Sequence, residues 1–179
     1  NAQGVSAINH SWGFAFEPDT VELLDIYLTD LELASYWQAI ADGSRARGLI
    51  QVWAAGNTDA PTSSPADSPF AGAHATLPRA FSDIEPYWLS VVNVDRDLVL
   101  SNRPNKCGFS MNWCLAAPGS DIQSTVYGGD ERTQGEVRTY PDGSISLEVR
   151  TRLPAFEYAE YSGTSMAAPH VTGAIAQLW

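Results

Sequence analysis

The stretch Leu49-Ile-Gln-Val-Trp-Ala-Ala-Gly-Asn57 decides the fold. Its first seven residues are apolar except Gln51, and a run of that kind suits a strand covered on both faces. Gly56-Asn57 then stops it. Upstream, Leu31 to Ala46 carries Leu31, Ala34, Ile40 and Ala41 in a helical pattern. Before that, Val5 to Ser11 reads as a short strand ending at Trp12-Gly13. Strand, helix, strand predicts a right-handed crossover and parallel pairing. Downstream, Trp88 to Val94 reads as a third strand and Cys114 to Ala117 as a short fourth. The order predicts an α/β fold with a doubly wound, mostly parallel sheet.

Two later stretches complete the layout. Thr58 to Pro69 is rich in Pro, Ser, Thr, Ala and Asp and reads as a surface loop. Glu136 to Arg152 alternates around Pro141-Asp-Gly143, a β-hairpin whose outward positions are charged. Ser11-Trp12-Gly13 and Gly56-Asn57 both fall beyond the carboxyl ends of parallel strands. Open α/β sheets bind ligands at that edge.

The string Tyr161-Ser-Gly-Thr-Ser-Met-Ala-Ala-Pro-His-Val171 carries the chemistry. Ala167, Val171, Ala174, Ile175 and Leu178 recur at helical spacing, with small residues between them. That composition predicts a buried central helix. Ser165 sits at its start, where free backbone N–H groups and the positive end of the dipole favour a developing anion. Thr164 is a candidate cap. Read alone, Gly-Thr-Ser is also an ordinary helix start, and Gly-Asn after a strand is also a turn.

Composition narrows the function. The chain has 179 residues, 44% of them hydrophobic and 17% charged, enough for one globular domain with a sizeable core. A net charge of −11 argues against nucleic-acid binding, which needs a basic face. No apolar run approaches the ~20 residues of a membrane span. Cys107 and Cys114 close a short loop and read as a disulfide in an exported protein, the alternative being two free thiols. The pair is not Cys-x-x-Cys and has no ligand-rich neighbours, so a redox motif or zinc site is not expected.

The eleven-residue string resembles the nucleophile motif of subtilisin-like serine proteases, the subtilases. The resemblance implies that Ser165 is a nucleophile for peptide-bond hydrolysis. Ala54-Ala55-Gly56-Asn57 is similar to the family's Ala-Ala-Gly-Asn segment, which implies that Asn57 donates its amide to the oxyanion. Ile8-Asn9-His10-Ser11-Trp12-Gly13 resembles the family's Ile-Asn-x-Ser-x-Gly strand. That implies a polypeptide substrate docked along Ser11, Trp12 and Gly13 as an added strand. Thr76 is the candidate for the pocket floor. Leu115-Ala-Ala-Pro-Gly119 matches a further segment, read as scaffold. The cysteine pair and the hairpin are similar to those in subtilase domains of Gram-negative autotransporters. They imply an exported protein, extracellular or on the bacterial surface. No cofactor is required for this chemistry; structural calcium is compatible with the family, with no ligand set to name.

One departure qualifies the resemblance. The family orders its triad Asp, His, Ser. This sequence begins almost on the substrate strand, and neither the Asp-x-Gly nor the His-Gly-x-His block is present. Its histidines are His10, His74 and His170, and none is read as the base. The expectation is a partial subtilase domain, residues 1–179, whose base and Asp partner lie in the missing N-terminal part of the same domain. The rival reading is a non-catalytic subtilase-like binding or scaffold domain. An α/β-hydrolase would need Gly-x-Ser-x-Gly, a penicillin-binding enzyme Ser-x-x-Lys, and a zinc protease His-Glu-x-x-His. None of these is here.

Overall fold

In the computed structural model, residues 6–13, 21–57, 70–100, 106–128, 135–139, 145–149 and 155–178 are described. The loop expected at Thr58 to Pro69 lies outside them for residues 58–69, as does the hairpin turn at 140–144.

The chain divides into two compact units, Asn1–Ile122 with Tyr161–Trp179, and Gln123–Glu160. The first is built on four parallel strands in the order β1 (Ala7–His10), β2 (Ile50–Ala54), β3 (Trp88–Val94) and β4 (Cys114–Pro118). Asn9 stands beside Val52, Val52 beside Leu89, and Val91 beside Leu115. The expected mostly parallel α/β sheet is therefore observed. The third strand has the bounds its apolar run predicts. The crossover from β1 to β2 carries two helices rather than one, α1 (Val21–Thr29) and α2 (Ala34–Arg47). Gly48 ends α2 at φ 59°, its N–H donating to the Ser44 carbonyl, a left-handed cap that glycine adopts without strain.

Helices cover both faces of the sheet. On one, Trp37 and Ala41 of α2 and Leu24 and Leu28 of α1 close over Trp53 and Trp88. All three tryptophans are buried, and each removes ~150–250 Å² from water, so this face carries the larger core. On the other, Ala167, Ala168 and Val171 of α3 (Thr164–Leu178) pack on Val52, Val91 and Ala117. Small residues on α3 let it lie close to the strands. The buried central helix expected there is only half realised. Pro169, His170, Gly173, Ala174 and Ala176 are exposed, because the sheet covers one side of α3 and no described element covers the other.

The second unit holds all but the first residue of β5 (Ile122–Gly128) and all but the last of its partner β8 (Ala155–Tyr161), and an antiparallel hairpin of β6 (Gly135–Thr139) and β7 (Ile145–Val149). Its register sets Val137 opposite Leu147 and Glu136 opposite Glu148. The expected hairpin is present.

The Cys107–Cys114 disulfide is formed. It brackets the 3₁₀ turn Gly108–Trp113 that leads into β4. Trp113 is buried and donates its indole N–H to the Ala75 carbonyl at 2.9 Å. Trp88 does the same to the His74 carbonyl at 3.0 Å. Two indoles thus hold the backbone of residues 74–75 against the sheet.

Candidate active site

Three chain segments meet at the carboxyl ends of β1 and β2. The strand end Ser11–Gly13 reaches the start of α3 through a reciprocal pair of hydrogen bonds. Ser11 Oγ donates to the Ser165 carbonyl at 2.8 Å. Ser165 Oγ donates to the Ser11 carbonyl at 3.3 Å. The nucleophile candidate is only partly buried. As the second residue of the helix, it belongs to the turn whose N–H groups have no intrahelical acceptor. Those groups and the helix dipole favour negative charge there.

Asn57 meets the same helix start. Its Oδ1 accepts the Thr164 N–H at 2.9 Å. Fixing the carbonyl end of the amide fixes the whole group, and Nδ2 remains its donor end. Thr164 has no exposed surface. Its hydroxyl accepts the Gly56 N–H at 3.1 Å and lies 3.2 Å from both the Gly56 carbonyl and Asn57 Oδ1. Thr164 therefore does not cap its own helix with its side chain. It ties the helix start to the loop after β2.

Two glycines make this closeness possible. Gly56 has φ 106°, a left-handed value that L side chains rarely adopt. Gly163 has φ 154°, and a Cβ there would stand 3.1 Å from Asn57 Oδ1. Gly163 is also anchored from behind, its N–H donating to the Gly119 carbonyl at 2.8 Å. Gly119 in turn donates to the Val94 carbonyl at 3.1 Å. A Cβ on Gly119 would fall 2.6 Å from Oδ1 of Asn93, a residue with no exposed surface. Sequence reasoning took Gly119 as scaffold and did not single out Asn93. The available signal was an amide inside a largely apolar strand, which needs a partner.

The other expected residues fall as follows. Ala54 is half-buried at the end of β2. Ala55 is buried, its N–H donating to the Val91 carbonyl and its carbonyl accepting from the Gly72 N–H. Trp12 and Gly13 are exposed. Thr76 is fully buried, with its hydroxyl within hydrogen-bond distance of the Gly72 and Ala73 carbonyls at 3.1 and 3.2 Å. That hydroxyl ties Thr76 to the turn at Gly72 and Ala73 and does not face solvent.

None of the three histidines is hydrogen-bonded to Ser165. His10 Nε2 donates to Gln51 Oε1 at 2.7 Å, and the ring stacks on Trp53 at 3.8 Å. Burial lowers its pKa, with the Gln51 bond opposing. His74 lies with the larger core, on the face of the sheet opposite α3. It shares a 2.6 Å hydrogen bond with the Tyr36 hydroxyl and stacks on Trp53. Burial, helped by the charge of His10, pushes its pKa down to about 4. His170 is exposed and donates Nδ1–H to the Met166 carbonyl of its own helix at 2.9 Å. Among the described residues no group of three or more His, Cys, Asp or Glu side chains is arranged to hold a metal ion.

A parallel α/β domain that gathers a serine hydroxyl, an asparagine amide and a strand end at the carboxyl edge of its sheet has the frame of a serine hydrolase. The chain belongs to the subtilase family, whose profile matches residues 1–179. It is 43% identical over 108 residues to an extracellular serine protease of Serratia marcescens, covering 59% of this chain and 10% of that protein. It is 29% identical over 177 residues to serotype-specific antigen 1 of Mannheimia haemolytica, covering 97% of this chain and 16% of that protein. Among solved structures it resembles the protease domain of PatA, with TM-score 0.59, 21% identity, and 99% of this chain and 44% of that chain covered. It also resembles the prenylagaramide maturation protease PagA, with TM-score 0.54, 20% identity, and 99% and 44% covered. The chain thus spans a small part of its curated relatives and less than half of its structural ones.

Proposed function

We propose that the protein is an exported serine endopeptidase in which Ser165 attacks the scissile carbonyl and forms an acyl-enzyme. The single observation that carries this reading is the three-way junction of Ser165, Asn57 and the Ser11 backbone. A serine hydroxyl is a weak nucleophile without a base, and its tetrahedral adduct needs oxyanion donors. Asn57 Nδ2 and the Ser165 N–H would supply those donors. The Oδ1 contact to Thr164 holds the amide before substrate arrives, so little reorganisation is needed. Ser11–Gly13 and Ala54–Gly56 would flank the bound peptide.

The general base and its carboxylate partner come, in this reading, from residues outside this sequence. Support lies in the partners of the histidines: His10 is bonded to Gln51, His74 to Tyr36 and His170 to its own helix. The uncovered side of α3 offers a surface for the rest of the domain. Structural calcium stays an expectation with no ligand set. The extracellular relative from Serratia supports export, as does the disulfide.

The test uses the whole protein and the 179-residue chain side by side. A fluorophosphonate probe should label Ser165 of the whole protein, and Ser165→Ala should abolish both labelling and peptide hydrolysis. The chain alone should label little. Hydrolysis by the Ser165→Ala whole protein at the parent rate would overturn the nucleophile. A whole protein that neither labels nor hydrolyses peptides would favour the binding-domain reading.

A further inference from the structure

The turn Gly108–Trp113, closed by the Cys107–Cys114 bond, grips residues 70–79 at three points. In the middle, Trp113 donates its indole N–H to the Ala75 carbonyl at 2.9 Å. At one end, the Phe109 ring stacks on Phe70, with centroids 4.9 Å apart and planes 11° from parallel. At the other, the Arg79 guanidinium lies 4.4 Å from the centroid of the same Phe109 ring. Arg79 is itself held by two bonds to the Asp25 carboxylate, at 2.6 and 2.9 Å. The middle grip is the buried one: Trp113 is 8% exposed and Ala75 1%.

The gripped segment is in turn bonded to the loop that carries Asn57. The Thr76 N–H donates to the Gly72 carbonyl at 3.1 Å, so Gly72 and Ala75 share one turn of backbone and move together. The Gly72 N–H donates to the Ala55 carbonyl at 2.8 Å. The Gly56 N–H of the same peptide unit donates to the Thr164 hydroxyl at 3.1 Å. A peptide unit is planar, with its C=O and N–H pointing opposite ways. Those two bonds therefore fix the plane between Ala55 and Gly56 from both edges. One reaches it from the helix that bears Ser165, the other from the turn under Trp113. Gly56, at φ 106°, and then Asn57 follow directly, so the orientation of that plane sets where the Asn57 amide is delivered.

We infer that Trp113 is a positioning residue for peptide hydrolysis: through the Gly72–Ala75 turn it sets the Ala55–Gly56 peptide plane and so the aim of the Asn57 amide. This rests on the reading of Asn57 as an oxyanion donor and names a residue that acts through it. Removing the indole N–H leaves a buried carbonyl without its donor, which costs more than the bond contributed. The turn relieves that cost by shifting, and the Ala55 carbonyl follows the Gly72 N–H. The loss falls on the transition state, because the amide is used when negative charge develops on the scissile oxygen.

The experiment is a double-mutant cycle in the whole protein, with kcat and KM measured on one peptide p-nitroanilide that the parent cleaves. Trp113→Phe keeps a ring in the core and deletes the N–H. It should lower kcat by about tenfold at unchanged KM, the scale of a misplacement well under 1 Å. In the Asn57→Ala background the same substitution should leave kcat where it was, because the group it positions is gone. A merely structural role would lower kcat equally in both backgrounds. If Trp113→Phe does not fold, Phe109→Leu, which loosens the grip at Phe70, is put through the same cycle. Parent kcat in the variant overturns the inference and leaves the protease reading standing. So does an equal loss in both backgrounds, or a raised KM at parent kcat. An Asn57→Ala protein with parent kcat overturns the oxyanion reading and the inference with it, and a parent protein without hydrolysis or labelling overturns both.

Discussion

Gly119 is where a single methyl group tests the whole arrangement. A Cβ there would lie 2.6 Å from Asn93 Oδ1 and 2.7 Å from the Gly163 carbonyl oxygen. Both are roughly 0.8 Å inside a comfortable contact. Asn93 cannot swing into solvent, because it has no exposed surface and its Oδ1 already accepts from Ser120 Oγ at 3.3 Å. The Gly163 carbonyl is main chain and itself accepts the Met166 and Ala167 N–H groups at 3.1 and 3.3 Å. The strain must therefore move Gly163, two residues before the nucleophile. Overpacking of this kind costs about 1–3 kcal/mol, and misplacing a reacting group by about 1 Å costs about 10²-fold in rate. Gly119→Ala should lower the urea midpoint accordingly. It should also slow fluorophosphonate labelling of Ser165 in the whole protein by about two orders of magnitude. Gly43→Ala is the control. It lies exposed inside α2, where a Cβ meets nothing within 4 Å. It should stabilise by about 0.5–1 kcal/mol without touching labelling. A Gly119→Ala protein as stable as the parent and labelling at the parent rate would refute the reasoning.

Three further outcomes are expected. Asn57→Ala in the whole protein should reduce kcat by about 10²–10³-fold with little change in KM, a magnitude taken from the oxyanion-hole measurement on subtilisin, a member of this family. Replacing both Cys107 and Cys114 by serine should cost about 2–3 kcal/mol in urea unfolding, the loop-closure value for so short a ring; an unchanged midpoint would show that the Trp113 turn holds without the bond. Stability should also depend on pH through His74. Its folded pKa is pushed down to about 4 from 6.5, so between those values the unfolded chain binds a proton that the folded chain refuses. Stability is undiminished above pH ~6.5 and falls toward pH 4, by at most about 3 kcal/mol. His10 is shifted in the same direction. His74→Gln should flatten that slope, and an unaltered slope would remove His74 as its source.

The strands were legible because they are short apolar runs bounded by turn residues. Trp88–Val94 needed no tertiary information. The first crossover helix, Val21–Thr29, was missed. It has nine residues and an amphipathic signal that is easily hidden, since Leu24 and Leu28 are buried while Ile26 is 62% exposed. The exposure of α3 was also misjudged. Apolar and small residues nearly all round are compatible with close packing on two sides, and periodicity cannot say which side receives a neighbour.

By itself the sequence determined the α/β class, the hairpin and the chemical groups on offer: a serine at a helix start, an asparagine after a strand and a strand end beside them. These follow from local periodicity and from residue chemistry. Only the tertiary structure decided which group meets which. Ser11 and Ser165 lie 154 residues apart, and Thr164 and Asn57 lie 107 apart. Their hydrogen bonds form only after β1, β2 and α3 have packed. The same packing sent His10 and His74 into an aromatic tower on the face away from α3, left Trp12 half in water, and gave Thr164 the task of holding Gly56 and Asn57. Hydrogen bonds and ring contacts are fixed to tenths of an ångström by packing between distant elements, and no pattern within one element encodes that.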